Sequence, residues 1–424
     1  MFLPFLSVRG FIRIASALVM CLGFYNVQAA LIYAVNSESR TISRIDTSTD
    51  TVQNNFAQLG VIPNKLIADA DYLWVVNSGD NAVQKINRQT GATITNIFIE
   101  SGCNPWDACL EGDFLYVTGL FTNKVYKVHT VNHNVMASLE VGISPEALCV
   151  YNGKLYVTNT GGWQNNYANS SVSVIDLDSF QVIATIPVSS NPQYITLHNG
   201  LLHVSCTGNW INEFGAVCVI DPISNEVMHT LPIGGSLGSI WINASHIALA
   251  GDGSGMFLYR YNAQDFTILN GSDDPLTPGG YVVDGDAEQV ALLHPNWGGN
   301  GKVKILHPDL TFWKEYSIGL APTDLKLWQT VTAVQDEVIP SLSVKVYPNP
   351  VLQGQNILFE LDHKSPSELK IYNIKGQLVF TQKSVTGQFF IDGSFFRMNI
   401  AVGLYLYNIK TNKTHINGIL TVLK

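Results

Sequence analysis

One short strand recurs seven times along this chain, and that recurrence leaves few architectures open. Its copies are Ile32-Tyr33-Ala34-Val35, Leu73-Trp74-Val75-Val76, Leu115-Tyr116-Val117-Thr118, Leu155-Tyr156-Val157-Thr158, Leu202-His203-Val204-Ser205, Ile247-Ala248-Leu249-Ala250 and Val290-Ala291-Leu292-Leu293. Their first residues are 41, 42, 40, 47, 45 and 43 positions apart. A period in that range marks a propeller whose blades are four-stranded sheets.

The repeat extends on both sides of the anchor strand. Ten residues before it stand Pro63, Pro105, Pro145 and Pro192, with Leu237 and Gly280 at the equivalent places. A constant offset implies a turn, an inner strand and a hairpin of fixed length. After the anchor comes a Gly/Asn-rich loop and a strand of pattern V-x-x-I-D, as in 172–176 and 217–221, closing in a turn former. A fourth stretch, such as 135–141 or 182–188, completes the unit. Pro322 is the eighth member of the turn series, yet no anchor follows it. The segment 323–328 is therefore expected to supply the inner strand of the first blade, closing the ring and leaving no free radial edge. The fold class expected is all-β: a seven-bladed β-propeller over 30–328 and a small Ig-like β-sandwich over 343–424, with 329–342 as linker.

The N-terminus reads as an export signal. Arg9 and Arg13 precede an apolar run over 14–24, and Val27-Gln28-Ala29 suits cleavage, so 1–29 is expected to be a signal peptide. The run is too short for a stable membrane span, and no other span is expected. Met20 before Cys21 argues against lipidation at that cysteine. With Cys21 removed, five cysteines remain, an odd number that forms no disulfide framework. Cys103 and Cys109 could pair across the Pro105 turn, but buried thiols acting as small apolar side chains are the reading preferred. A formal charge of −9 without a basic stripe excludes nucleic acid as the expected partner. The chain is expected to act as a monomer.

Beyond the linker, the landmarks are Val346-Tyr347-Pro348-Asn349-Pro350, Leu369-Lys370-Ile371-Tyr372-Asn373 with Gly376-Gln377-Leu378-Val379, Gly403-Leu404-Tyr405-Leu406-Tyr407, and the terminal Gly418-Ile419-Leu420-Thr421-Val422-Leu423-Lys424. Residues 373–376 form the turn of a hairpin in a compact sandwich. This tail resembles the type A C-terminal sorting domain of the type IX secretion system of Bacteroidetes. The resemblance implies that a type IX translocon and its C-terminal signal peptidase are partners. It also implies that the tail is removed, and that the protein is released or anchored at the cell surface. The propeller is similar to the YncE-like, or YVTN-repeat, group through Leu155-Tyr156-Val157-Thr158-Asn159, Val172-Ser173-Val174-Ile175-Asp176 and the turn at Pro145. That group says little about function, because propellers host unrelated activities.

Loops must therefore carry the chemistry. The turn before each inner strand and the loop after each anchor open on one face, so their residues gather at one mouth of the channel. Directly after the Pro-equivalent position come Asn64, Trp106, Glu146, Gln193, Gly238, Tyr281 and Thr323, and the loops add Trp163, Trp210 and Trp297. Tryptophan in a Gly/Asn setting offers a flat apolar platform beside amides that fix orientation, which suits a sugar or peptide ligand. The bland alternative is that these rings seal the blade ends. The expected ligand site is Trp106, Glu146, Trp163, Gln193, Trp210, Tyr281 and Trp297.

No HExxH or paired CxxC motif is present, which disfavours the common zinc chemistries, and the one Gly-x-Ser-x-Gly string, Gly234-Gly235-Ser236-Leu237-Gly238, falls on the turn before an inner strand of the repeat rather than on a strand-to-helix elbow. No cofactor is expected. A metal-assisted lyase or hydrolase would need Asp107, Glu146, Asp324 and His294 to hold a divalent cation at the mouth; each is otherwise a turn or strand-end residue. The Asp252-Gly253-Ser254-Gly255 and Asp284-Gly285-Asp286 segments lack a full calcium ladder. The leading expectation is an exported binding module for a glycan or peptide, with a surface scaffold and the metal-assisted enzyme as alternatives.

Overall fold

The computed structural model describes residues 30–296, 298–329, 344–361, 366–375, 377–394, 401–411 and 415–424. The expected signal peptide, nearly all of the expected linker, and Trp297 lie outside them. The chain divides into two compact units, Met1–Thr332 and Ala333–Lys424.

In the first unit seven four-stranded antiparallel sheets follow one another along the chain. Six are built from consecutive strands, beginning with Pro63–Ala68, Tyr72–Asn77, Ala82–Asn87 and Thr93–Phe98. In the remaining sheet the order is Pro322–Gln329, Ala30–Asn36, Thr41–Asp46, Thr51–Gln58, so the last strand of the unit is sewn beside the first. Its register sets Leu325 opposite Ala34 and Leu327 opposite Ile32. The innermost strands touch in cyclic order, the closing one lying between Pro63–Ala68 and Val282–Gly285.

Burial explains why the anchor strand shows so little polar alternation. Ile32 and Ala34 pack with Val282, Leu293 and Ile305 of the preceding sheet, whereas Tyr33 and Val35 pack with Leu66, Leu73 and Val75 of the following one. A period-2 strand between two neighbours needs apolar residues on both faces. The turn formers act locally: Asp46 accepts the N–H groups of Ser48 and Thr49 at 2.9 and 3.1 Å, and Asn87 does the same for Gln89 and Thr90 at 3.0 and 2.9 Å. Cys103, Cys109, Cys149, Cys206 and Cys218 are all free thiols, so the 103–109 pairing is not made.

The second unit stacks a three-stranded sheet against a five-stranded one. Val344–Tyr347, Ile357–Leu361 and Gln388–Ile391 form the first; the second contains Gly403–Thr411 paired with His415–Leu423. Phe359, Ile371, Phe389, Ile409, Leu420 and Val422 fill the space between them. The Asn373 side chain accepts the N–H groups of Lys375 and Gln377, both at 3.0 Å, and shapes the expected hairpin turn.

Candidate functional site

The innermost strands carry a device that the repeat spacing alone does not reveal. In six sheets one residue more stands on the inner strand than on its partner just after the Pro-equivalent position. Lys65 is opposite Val76 while Pro63 is opposite Asn77, which leaves Asn64 as the extra residue. Such a bulge bends the strand and re-aims a side chain. Backbone groups freed by the bulge find side-chain partners: Asp107 N–H donates to Thr118 Oγ1 at 3.0 Å and Ala147 N–H to Thr158 Oγ1 at 2.9 Å.

The residues that directly follow the Pro-equivalent positions, bulged in six sheets, gather at one end of the channel. Asn64, Trp106, Glu146, Gln193, Tyr281 and Thr323 surround a cavity of about 280 Å³, with Lys65 and Tyr194 also lining it. Gly238 is the exception, since a Cβ there would fall 2.0 Å from the Tyr281 carbonyl oxygen. Tyr281 donates its hydroxyl to Gln193 Oε1 at 3.2 Å and meets the Tyr194 ring edge-to-face at 5.9 Å.

Trp163 lies beside this mouth, in a second groove of about 600 Å³ whose lining includes Phe121, Tyr167, Trp106, Glu146 and Gln193. Its ring is 74% exposed. Gly161 and Gly162, at φ +84° and +76°, turn the chain into the short helical turn Trp163–Asn165, a conformation that favours glycine. Trp210, 57% exposed, lines neither cavity. Its Nε1–H donates to Ser236 Oγ at 2.5 Å and its ring meets Tyr167 edge-to-face at 5.5 Å. Trp297 lies outside the described residues. Four of the seven expected site residues thus line the mouth itself, and Trp163 stands in the adjoining groove.

A deeper cavity of about 630 Å³ continues down the channel, lined by Lys65, Asp107, Tyr194, Asp284, Asp324 and Lys326 among others. Sequence reasoning points only to Asp107 and Asp324 of these as channel groups. The others occupy the second or fourth position after the Pro-equivalent residue of their own repeats, a regularity that could have found them.

Electrostatics separate these groups. Burial pushes the Glu146 carboxyl up to about 8, against the pull of Lys65, so it is largely protonated at neutral pH; a hydrogen bond with Trp106 lowers it slightly. Burial raises Asp107 to about 6 and also raises Asp284. For Lys65, burial works against the ammonium, but Asp324 and Asp107 outweigh it and hold its pKa above the ordinary value. Lys326 is exposed to the channel; the protein around it works against the ammonium, but Asp284 and Asp324 outweigh that and raise its pKa in the same way.

The four-residue cation set is not assembled. Asp107, Glu146 and Asp324 reach the channel, but His294 does not line it, and its charged surroundings are Lys304, Glu315 and Lys302. Among the described residues no group of three or more His, Cys, Asp or Glu side chains is arranged to hold a metal ion. Asp252 is satisfied by the N–H groups of Ser236 and Gly255 at 2.8 and 2.6 Å and by the Ser254 hydroxyl at 3.0 Å, as a turn residue is.

Residues 345–422 match the secretion system C-terminal sorting domain. The tail is an export address. It directs the chain through the type IX system to the cell surface or the extracellular space. Among the described residues no helix is long and apolar enough to cross a membrane. No curated protein matches the chain in sequence. Among solved structures, the dihydro-heme d1 dehydrogenase NirN aligns with a TM-score of 0.51 at 13% identity, over 70% of this chain and 74% of that one. Hydrazine synthase of Kuenenia stuttgartiensis aligns with a TM-score of 0.49 at 13% identity, over 62% of this chain and 93% of that one. At such identity the likeness to the dehydrogenase speaks to the fold alone.

Proposed function

We propose that this protein is a binding module carried outside the cell, whose propeller mouth holds part of a glycan or peptide chain while the rest lies along the Trp163 groove. The observation that carries this reading is the common wall of the two cavities: Trp106, Glu146 and Gln193 line both. A ligand spanning them meets ring faces on Trp106 and Trp163 and polar groups on Glu146 and Gln193, the combination that gives both contact area and orientation. In this reading residues 1–29 are the signal peptide, the YncE-like repeats are the scaffold, and the sorting tail is cleaved at the surface.

Arrays of glycans and peptides probed with the purified chain test this. A Trp106→Ala, Trp163→Ala double variant is expected to lose binding by tenfold or more, since each stacked ring contributes about 1 kcal/mol beyond its buried area. Retention of binding by a folded double variant would remove the groove from the function.

A further inference from the structure

We propose that the ligand of the mouth is an acidic glycan, and that a uronate carboxylate of that chain seats on the Lys65 ammonium. This rests on the binding reading above and specifies its ligand. The argument is an asymmetry between the cations and anions of the channel. Each aspartate is tied to backbone: Asp324 accepts Leu66 N–H at 2.9 Å, Asp107 accepts Ala108 N–H at 2.7 Å, and Asp284 accepts Leu327 N–H and Gly285 N–H, both at 2.9 Å. The lysines are not tied down in this way. Lys65 is only 8% exposed, and among the described residues its sole direct partner is the Tyr194 ring, whose centroid lies 3.9 Å from Nζ. Lys326 likewise makes no hydrogen bond or ion pair among the described residues.

An ammonium has three donors and no acceptor, and at Lys65 no acceptor among the described residues fills them, so they are left to whatever occupies the channel. Lys65 lines both the mouth and the deeper cavity, so its donors are reachable from outside. Among the described residues that line the mouth the one carboxyl is Glu146, held largely neutral, and the pinned aspartates line the deeper cavity. The mouth therefore presents an ammonium with open donor sites, its charge supported from the deeper cavity by Asp324 and Asp107, beside a carboxylic acid able to donate, an arrangement that suits an anionic oxygen group.

A sugar chain fits better than a peptide. The adjoining groove offers rings and side-chain amides, among them Trp163, Gln164 and Asn165. A peptide bound by strand addition needs an open backbone edge, and neighbouring sheets already use these edges. Thr118 Oγ1 donates to the Glu146 carbonyl at 2.7 Å and Ser205 Oγ to the Gly238 carbonyl at 2.7 Å.

Calorimetry with trigalacturonate, its neutral counterpart galactotriose, and a short peptide with a free C-terminal carboxylate tests the assignment on the full chain. Wild type is expected to bind the uronate at least tenfold more tightly than the neutral sugar, with affinity falling as salt rises. Lys65→Met should bring the uronate down to the neutral level, and Lys65→Arg should keep most of the preference. Equal binding of both sugars, or an uronate affinity indifferent to Lys65→Met, overturns the acidic assignment and leaves the groove reading standing if Trp106→Ala still weakens binding. Tighter binding of the peptide overturns the glycan. Should Lys65→Met fail to fold, the Lys65→Arg variant and the wild-type comparison decide alone. Silence toward all three probes overturns this inference, while the wider arrays still judge the groove.

Discussion

Replacing Glu146 by Gln should change how propeller stability depends on pH, with a sign fixed by burial. The carboxyl is 7% exposed and its folded-state pKa is about 8, against an ordinary 4.5. Below the ordinary value both folded and unfolded chains carry the proton. As pH rises past it, the unfolded chain releases the proton and the folded chain keeps it, so stability falls until pH passes about 8. The full difference sets an upper bound of about 5 kcal/mol, and water in the channel reduces it to an expected ~1–3 kcal/mol. Gln keeps the shape of the neutral acid and has no proton to lose. The variant should therefore match wild type near pH 4 and exceed it near pH 9, by roughly the amount wild type has lost. Asp107 is present in both chains, so its own titration largely cancels in the comparison. Urea unfolding followed by tryptophan emission reports on the propeller, because all eight tryptophans lie between Trp74 and Trp328. Wild-type and variant curves that run parallel from pH 4 to 9 would refute a buried, protonated Glu146.

Leu325→Ala should destabilise the ring by about 2–5 kcal/mol in the same urea assay, because Leu325 is 0% exposed in the closing strand and packs across two sheets. Gly238→Ala should cost about 1–3 kcal/mol and weaken ligand binding, since the added methyl meets the Tyr281 backbone at the mouth; a variant as stable as wild type would contradict that crowding. Deleting 418–424 removes the buried Leu420 and Val422 from the tail, and the shortened protein should stay in the periplasm of a type IX host, as surface immunodetection would reveal.

Much of the fold is legible in the amino-acid order because the features involved are periodic. Anchor strands such as 32–35 repeat their apolar residues at a near-constant spacing, and buried neighbours on both faces demand that pattern. Closure at 323–328 follows from a turn proline without an anchor after it. The mouth is partly legible for the same reason: Trp106, Glu146, Gln193 and Tyr281 share one place in the repeat. Less accessible is the bulge, which sequence spacing does not distinguish from a regular strand and which sends consecutive residues to different levels of the channel. Asp107 and Glu146 read as partners for one ion; the bulges instead place Asp107 on the deeper cavity and Glu146 at the mouth, with Lys65 reaching both. Trp210 reads as a ligand platform from its Asn-rich setting, yet the Asn209 side chain folds that loop on itself by accepting the N–H groups of Ile211, Asn212 and Glu213. A short-range turn and a binding loop have the same composition.

The first sheet cannot be completed when it is first synthesised. Three of its strands leave the ribosome early, and the fourth, Pro322–Gln329, arrives only after the other six sheets have been made. The export address follows that strand in the sequence. A prematurely terminated product lacking the closing strand thus also lacks the tail, and any chain long enough to be recognised for export already contains every piece of the ring. Chain order alone acts as a length check: an interrupted propeller, with its raw edge exposed, is never addressed to the surface.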